Sequence, residues 1–169
     1  KDDPPATREA LMEASLSYLA RFSSTRAGLA RHLKKKFRHA EGEALSALLE
    51  ELLARLEELR LLDDARFAAD RARGLRAQGK SGRAIRQKLA EKGVDRALVD
   101  EAMRDEDAHA ELVAAVRLAK RRRLGPFRTK DADEMRELAA LGRAGFSYEI
   151  ARKVLALDLS DAEAMIAAR

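Results

Sequence analysis

The chain has 169 residues, enough for one ordinary domain or for several small units sharing a core. It contains no cysteine, which excludes disulfides and thiolate metal sites and makes a reducing setting, the cytoplasm, the expected location. Charged residues make up 37% and aromatics 4%, a balance that favours helix over strand, and the net charge of +5 suits a polyanionic partner. No apolar run approaches the roughly 20 residues of a membrane span. Lys1 to Pro5 are too polar for the apolar stretch of a signal peptide.

Breakers, caps and apolar residues three and four apart predict an all-α chain of ten short helical segments. The first, 7–22, is followed by 25–37, which carries Leu29, Leu33 and Phe37 at helical spacing. A turn from Arg38 to Gly42 leads into 43–60. Leu61, Leu62, Asp63 and Asp64 then introduce 64–78, with Asp63 as its cap. The fifth segment, 82–92, has Ile85 and Leu89 on its core face and stops at Gly93, and Asp95 opens 95–104. The seventh, 107–123, ends on Arg121, Arg122 and Arg123 beside Gly125 and Pro126. The eighth, 131–144, stops at Gly145, and Ser147 opens 147–157. Ser160 and Glu163, at capping-box spacing, predict the start of a last helix, 161–168.

An internal repeat emerges when the sequence is laid on itself. Leu89, Gly93, Val94, Asp95, Leu98 and Ala102 fall at constant offset onto Leu141, Gly145, Phe146, Ser147, Ile150 and Val154. The pattern encodes a helix ending on a left-handed glycine, an apolar residue closing that cap, and a polar cap restarting the chain as a helix. Leu29, Leu33 and Phe37 fit the same frame, with Phe37 in the glycine's place. The expected architecture is three tandem three-helix repeats, 7–60 (divergent), 64–105 and 107–158, with a C-terminal helix over 160–169. A single unit of this size buries little surface, so the units should stack into an elongated, curved array. Repeats that bury one another within one chain favour a monomer.

Charge alternates along this array. Arg26, Arg31, Lys34, Lys35, Lys36 and Arg38 precede an acidic run from Glu41 to Asp64. A second basic block holds Arg71, Arg73, Arg76, Lys80, Arg83, Arg86, Lys88 and Lys92, and Arg117, Lys120 and Arg121 to Arg123 form a third. Helical geometry puts Arg73, Arg76 and Lys80 on one face, and Arg83, Arg86 and Gln87 opposite Ile85 and Leu89. Solvated helix faces explain any one block, and Arg121 to Arg123 also complement a helix C-terminus. Three blocks, one per repeat, raise the prospect of a polyanion or an acidic protein surface. Phe22, Phe37, Phe67, Phe127 and Phe146 fall mostly at core spacing, which argues against a base-stacking platform.

Signals for catalysis are weak. Gly74 to Ser81 match the phosphate-loop pattern G-x-x-x-x-G-K-[ST] letter by letter, but that motif works only as a strand-to-helix turn, and this stretch reads as helix up to a stop at Gly79. Asp63 with Asp64, and Glu57 with Glu58, suit capping and solvation better than Mg²⁺. His32, His39 and His109 lack metal-ligand spacing. No nucleophile, base and orienting group assemble; the expectation is a non-enzyme without cofactor or metal.

The run Leu61, Leu62, Asp63, Asp64, Ala65, Arg66, Phe67, Ala68 resembles the most recognisable motif of the RecX family. Gly79, Lys80, Arg83, Ile85, Arg86, Leu89, Lys92 and Gly93 follow that family's pattern, and Gly145, Phe146, Ser147 and Tyr148 resemble its third-repeat signature. The likeness spans nearly the whole chain. Lys88, where an acidic residue is frequent, and the Phe37 turn depart from it. The resemblance implies three-helix repeats that lie in the groove of the RecA filament on DNA, bridge protomers and alter filament growth, ATP hydrolysis and strand exchange. It implies an inhibitor in homologous recombination, DNA repair and the SOS response, with DNA met weakly or through the filament. Contact residues on this reading are Arg71, Arg73, Arg76, Lys80, Arg83, Arg86, Arg121, Arg122 and Arg123. The repeat-defining residues are Leu62, Asp63, Asp64, Phe67, Ile85, Leu89, Gly93, Leu141, Gly145 and Phe146. A general DNA-binding module and a helical-repeat adaptor for an unrelated protein remain alternatives.

Overall fold

The computed structural model describes residues 5–40, 42–105, 107–131 and 133–168. Within them the chain is all-helical: α1 (Arg8–Leu19), α2 (Arg26–Lys36), α3 (Glu43–Glu58), α4 (Asp64–Ala77), α5 (Gly82–Glu91), α6 (Arg96–Ala102), α7 (Ala108–Arg122), α8 (Glu134–Arg143), α9 (Tyr148–Ala156) and α10 (Leu159–Ala167). Two short 3₁₀ turns, Arg38–Ala40 and Gly125–Phe127, complete the described elements. No strand occurs among the described residues. Glu41, inside the expected acidic run, and Arg169, at the end of the expected last segment, lie outside them.

The helix starts obey local chemistry. Thr7, Thr25, Asp63, Ser81, Asp95, Asp107, Asp133, Ser147 and Asp158 each accept a hydrogen bond from an amide in the first turn of the helix they open. Only α3 starts without a side-chain cap, at Gly42. The expected opening of the last helix at Ser160 is corrected: Asp158 caps it by accepting from Asp161 N at 2.8 Å, which places Ser160 inside the first turn. A carboxylate also complements the helix dipole better than a hydroxyl does.

The helix stops are equally specific. At Gly93 (φ 79°) the Val94 amide returns to Leu89 O and the Gly93 amide to Ala90 O; at Gly145 (φ 94°) Phe146 returns to Leu141 and Gly145 to Gly142. Both are Schellman caps, with the apolar residue after the glycine folded back on the helix. Val94 and Phe146 are buried accordingly. In the first unit the chain leaves α2 at Phe37 (φ −106°), makes the 3₁₀ turn and buries the Phe37 ring instead.

Buried side chains form three clusters, one per group of three helices. Leu11, Leu29, Leu33, Leu49, Leu53 and Leu56 centre the first (α1–α3). Ala68, Ala72, Leu75, Ile85, Leu89 and Val99 form the second (α4–α6), and Val116, Leu118, Leu141, Phe146, Ile150 and Val154 dominate the third (α7–α9). Helix α10 lies on α7 and covers the third cluster with Ala162, Met165 and Ile166. Accessible surface is 11055 Å², against about 8300 Å² for a compact chain of 18.8 kDa. That excess fits small units arranged in an array.

The third unit departs from the others at one core position. The frame that aligns Leu29 with Ile85 and Leu33 with Leu89 places Glu137 where the other units bury an aliphatic side chain. Glu137 is 3% exposed, and it accepts from Gly125 N at 3.1 Å and from the Arg128 guanidinium at 2.8 Å. Those bonds satisfy both oxygens and tie the second 3₁₀ turn to α8, which is what makes a carboxylate tolerable inside the unit.

Candidate interaction surface

The surface is set by how the units join, and both joints use the same chemistry. Thr25, buried at the start of α2, accepts from Gly28 N at 2.9 Å and donates its hydroxyl proton to Lys92 O of the second unit at 2.7 Å. Ser81, buried at the start of α5, accepts from Ala84 N at 3.2 Å and donates to Ala144 O of the third unit at 2.8 Å. Each acceptor is the residue before a left-handed glycine, where helix carbonyls run out of intrahelical partners. A hydroxyl can accept and donate at once; a carboxylate cannot.

A carboxylate from the following unit completes each joint. Asp64 accepts from Arg26 N, the first amide of α2, at 2.8 Å, and Glu111 accepts from Gly82 N, the first amide of α5, at 3.0 Å. Negative charge at a helix N-terminus is favourable, and the amide bonds are charge-assisted. Burial, reinforced by Glu57 and Asp63, holds the Asp64 carboxyl above its ordinary range, although the Arg26 amide and guanidinium oppose this. The glycines make room: an added Cβ at Gly93 would come within 2.5 Å of Ala27 Cβ, and at Gly145 within 2.5 Å of Ser81 Oγ. In the third unit the matching cap, Asp133, accepts from Met135 N at 2.9 Å.

These joints absorb some of the expected contact residues. Arg76 donates to Glu111 Oε2 at 2.6 Å and to Lys80 O at 3.1 Å, and its side chain is only 14% exposed. Arg121 donates to Gln78 O, at the end of α4. Arg122 reaches Ala140 O within its own unit at 3.4 Å. The expected face of Arg73, Arg76 and Lys80 is corrected: α4 ends at Ala77, so Lys80 lies beyond it in the turn, half-buried, while Arg76 faces the third unit. The helix stops early because Gly79 (φ 73°) takes the left-handed position and Lys80 N returns to Leu75 O.

The remaining cations face solvent. Arg73 pairs with Asp70 on its own helix, and Arg86 reaches Asp100 of α6 at 2.6 Å. Arg83 is exposed next to Gly145, and Arg71 lines a cleft toward the first unit. Arg123 is exposed in a left-handed conformation (φ 57°) at the end of α7. The second basic block therefore divides between the two ends of its unit. The acidic run gains a role as well, since Glu50 and Glu57 both bind the Arg26 guanidinium at 2.6 Å.

Gly74 to Ser81, the phosphate-loop look-alike, runs from the last turn of α4 through a turn to the cap of α5, a helix-to-helix passage. No group of three or more His, Asp or Glu suited to a metal occurs among the described residues, and no helix among them is long and apolar enough to cross a membrane. His32 stacks on Tyr18 with ring centroids 4.1 Å apart. Burial first, then Lys36, Arg21 and Lys35, hold its imidazole below the usual histidine range. On acidification the unfolded chain therefore takes up the proton first, and stability is lost as pH falls through about 6.5. Thermal midpoints at about pH 7.5 and 5.5 should fall further for the native chain than for His32→Gln; equal losses would contradict this assignment.

The residues of the joints were within reach of the sequence. Thr25 and Ser81 stand at one offset with Leu29 and Ile85 and with Leu33 and Leu89, and the next step of that register lands on Asp133. Asp64 and Glu111 carry no such signal, because they reach equivalent amides from different positions in the first turns of α4 and α7.

Comparison with known proteins agrees with this architecture. Residues 63–103 match the family model described as RecX, second three-helix domain. A protein of Myxococcus xanthus named Regulatory protein RecX is 42% identical over 157 residues, covering 86% of this chain and 83% of that protein. One of the same name from Agrobacterium fabrum is 36% identical over 141 residues, covering 82% and 75%. The crystal structure of RecX from Lactobacillus salivarius superposes with a TM-score of 0.71 at 22% identity, covering 88% of this chain and 94% of that one, a likeness of fold.

Proposed function

The chain belongs to the RecX family, and from that premise we propose that it regulates the RecA recombinase by binding RecA filaments on DNA, as an inhibitor of filament growth, ATP hydrolysis and strand exchange. The observation that carries the reading is the array itself. Three small units joined through Thr25 and Ser81 carry exposed cations in succession, suited to a repeating, acidic or DNA-bearing partner. Contact falls to Arg71, Arg73, Arg83, Arg86 and Arg123 from the exposed set, with Lys80 and Arg122 at its edge. Arg76 and Arg121 act by fixing the second unit against the third. The chain works as a monomer in the cytoplasm, without cofactor and without chemistry of its own; hydrolysis belongs to the recombinase.

The test is RecA assembled on single-stranded DNA with ATP, with and without the chain. Hydrolysis, strand exchange and filament length should all fall. A result in which none of the three changes would remove this function.

A further inference from the structure

A groove crosses the joint between the first two units, beside their buried clusters. It consists of two adjoining cavities of about 580 and 420 Å³ that share Ser23, Ser24, Phe67 and Asp70 as walls. Aromatic rings line it from both units: Tyr18 and Phe22, with centroids 5.2 Å apart, from the first, and Phe67 from the second. The expectation that the phenylalanines are core residues fails here. Phe22 is 53% exposed because α1 ends at Leu19 and the chain turns outward before the Thr25 cap.

Cations line the groove together with the rings. Arg60 and Arg66 line one cavity and Arg31, Arg71 and Lys92 the other, against the acids Asp63 and Asp70. Both acids are already engaged, Asp63 by the Arg66 amide and Asp70 by the Arg66 and Arg73 side chains. Arg60 lines the second cavity. It occupies the left-handed position (φ 54°) of a Schellman cap, with its amide on Glu57 O and the Leu61 amide on Leu56 O. The chain fills the same position with glycine at Gly79, Gly93 and Gly145, and with arginine again at Arg123. The arginine at position 60 incurs a conformational cost that glycine avoids and places a cation at the mouth of the groove.

We propose that this groove binds single-stranded nucleic acid, with unpaired bases stacking on Phe22 and Phe67 and phosphates lying against Arg60, Arg66 and Arg71. Rings spaced along a basic channel suit bases whose faces are free, whereas duplex DNA keeps its base faces stacked. The inference deepens the filament reading, since such filaments form on single strands, but the binding itself needs no recombinase.

Fluorescence anisotropy of a labelled oligothymidylate with the whole chain alone, in low and moderate salt, tests it. The single strand should bind at least about tenfold more tightly than a duplex of equal length, and binding should weaken with salt. Phe22→Ala should weaken it roughly tenfold. Arg60→Gly should weaken it several-fold while the thermal midpoint stays level or rises, so loss of fold cannot account for the loss of binding. Duplex binding equal to single-strand binding, or native affinity in both variants, overturns the proposal. So does displacement of the oligonucleotide by a poly-glutamate peptide at equal concentration, which would assign the groove to an acidic protein segment. If the chain inhibits the recombinase yet binds no oligothymidylate, the groove assignment falls and the regulatory reading stands; binding without inhibition gives the reverse.

Discussion

Gly79→Ala should destabilise the protein by about 2–4 kcal/mol, whereas Gly74→Ala, in the same phosphate-loop look-alike, should stabilise it by about 0.5–1 kcal/mol. Gly79 has φ 73°, and a Cβ there would meet Ala114 O and Leu118 N of α7, each at 2.9 Å. Both are backbone atoms inside a helix, so neither can move aside as a side-chain tip would. The alanine thus bears the left-handed conformation and pushes the second unit off the third. Gly74 is exposed in the last turn of α4 with nothing within 4 Å of an added Cβ, so a methyl there only improves helix propensity. In a protein of this size the first change lowers the thermal midpoint by roughly 5–15 °C, and the second raises it by a few degrees. A phosphate loop would require both glycines; opposite signs would show that the two positions serve a helix and its stop.

Charge reversal at Arg76 and at Arg83 should separate architecture from contact. Arg76 and Glu111 are largely enclosed, with side chains 14% and 24% exposed, and Glu111 also holds the Gly82 amide. Arg76→Glu sets two carboxylates together at the joint and should cost about 3–5 kcal/mol, read as an early loss of the thermal transition. Arg83 is exposed and makes no ion pair recorded among the described residues. Arg83→Glu should change stability by less than about 0.5 kcal/mol and weaken filament binding roughly tenfold. A stable Arg76→Glu protein would contradict the joint; an Arg83→Glu protein with native binding would take Arg83 off the surface.

How much of this was legible in the sequence depends on the range of the interaction. Asp63, Ser81 and Asp95 were readable as caps and Gly93 and Gly145 as stops because these act within a single turn. Ile85, Leu89, Leu141 and Phe146 followed from periodicity and the internal repeat, Leu62 from the family resemblance, and all are buried. Phe67 is only partly buried, since its ring serves both the second cluster and the groove. What the pattern could not supply is partnership between units. Helical phase places Arg76 and Arg73 on one face, but only the path of α7 decides that Arg76 meets Glu111 while Arg73 pairs with Asp70 at the surface. Asp64 likewise reads as one more acid at a helix start, and its bond to the Arg26 amide depends on how the units stack. Ser160 misled because capping-box spacing outweighed an aspartate two residues earlier.

The central claim is that this array engages a RecA filament through its exposed cations. Sedimentation of RecA filaments on single-stranded DNA, with the chain added at low and at raised salt, measures that directly. The chain should pellet with the filaments at low salt and progressively less as salt is added, because exposed charge pairs are screened beyond about 10 Å at 0.1 M. A chain left in the supernatant at low salt, or one pelleting equally at both, would contradict the account.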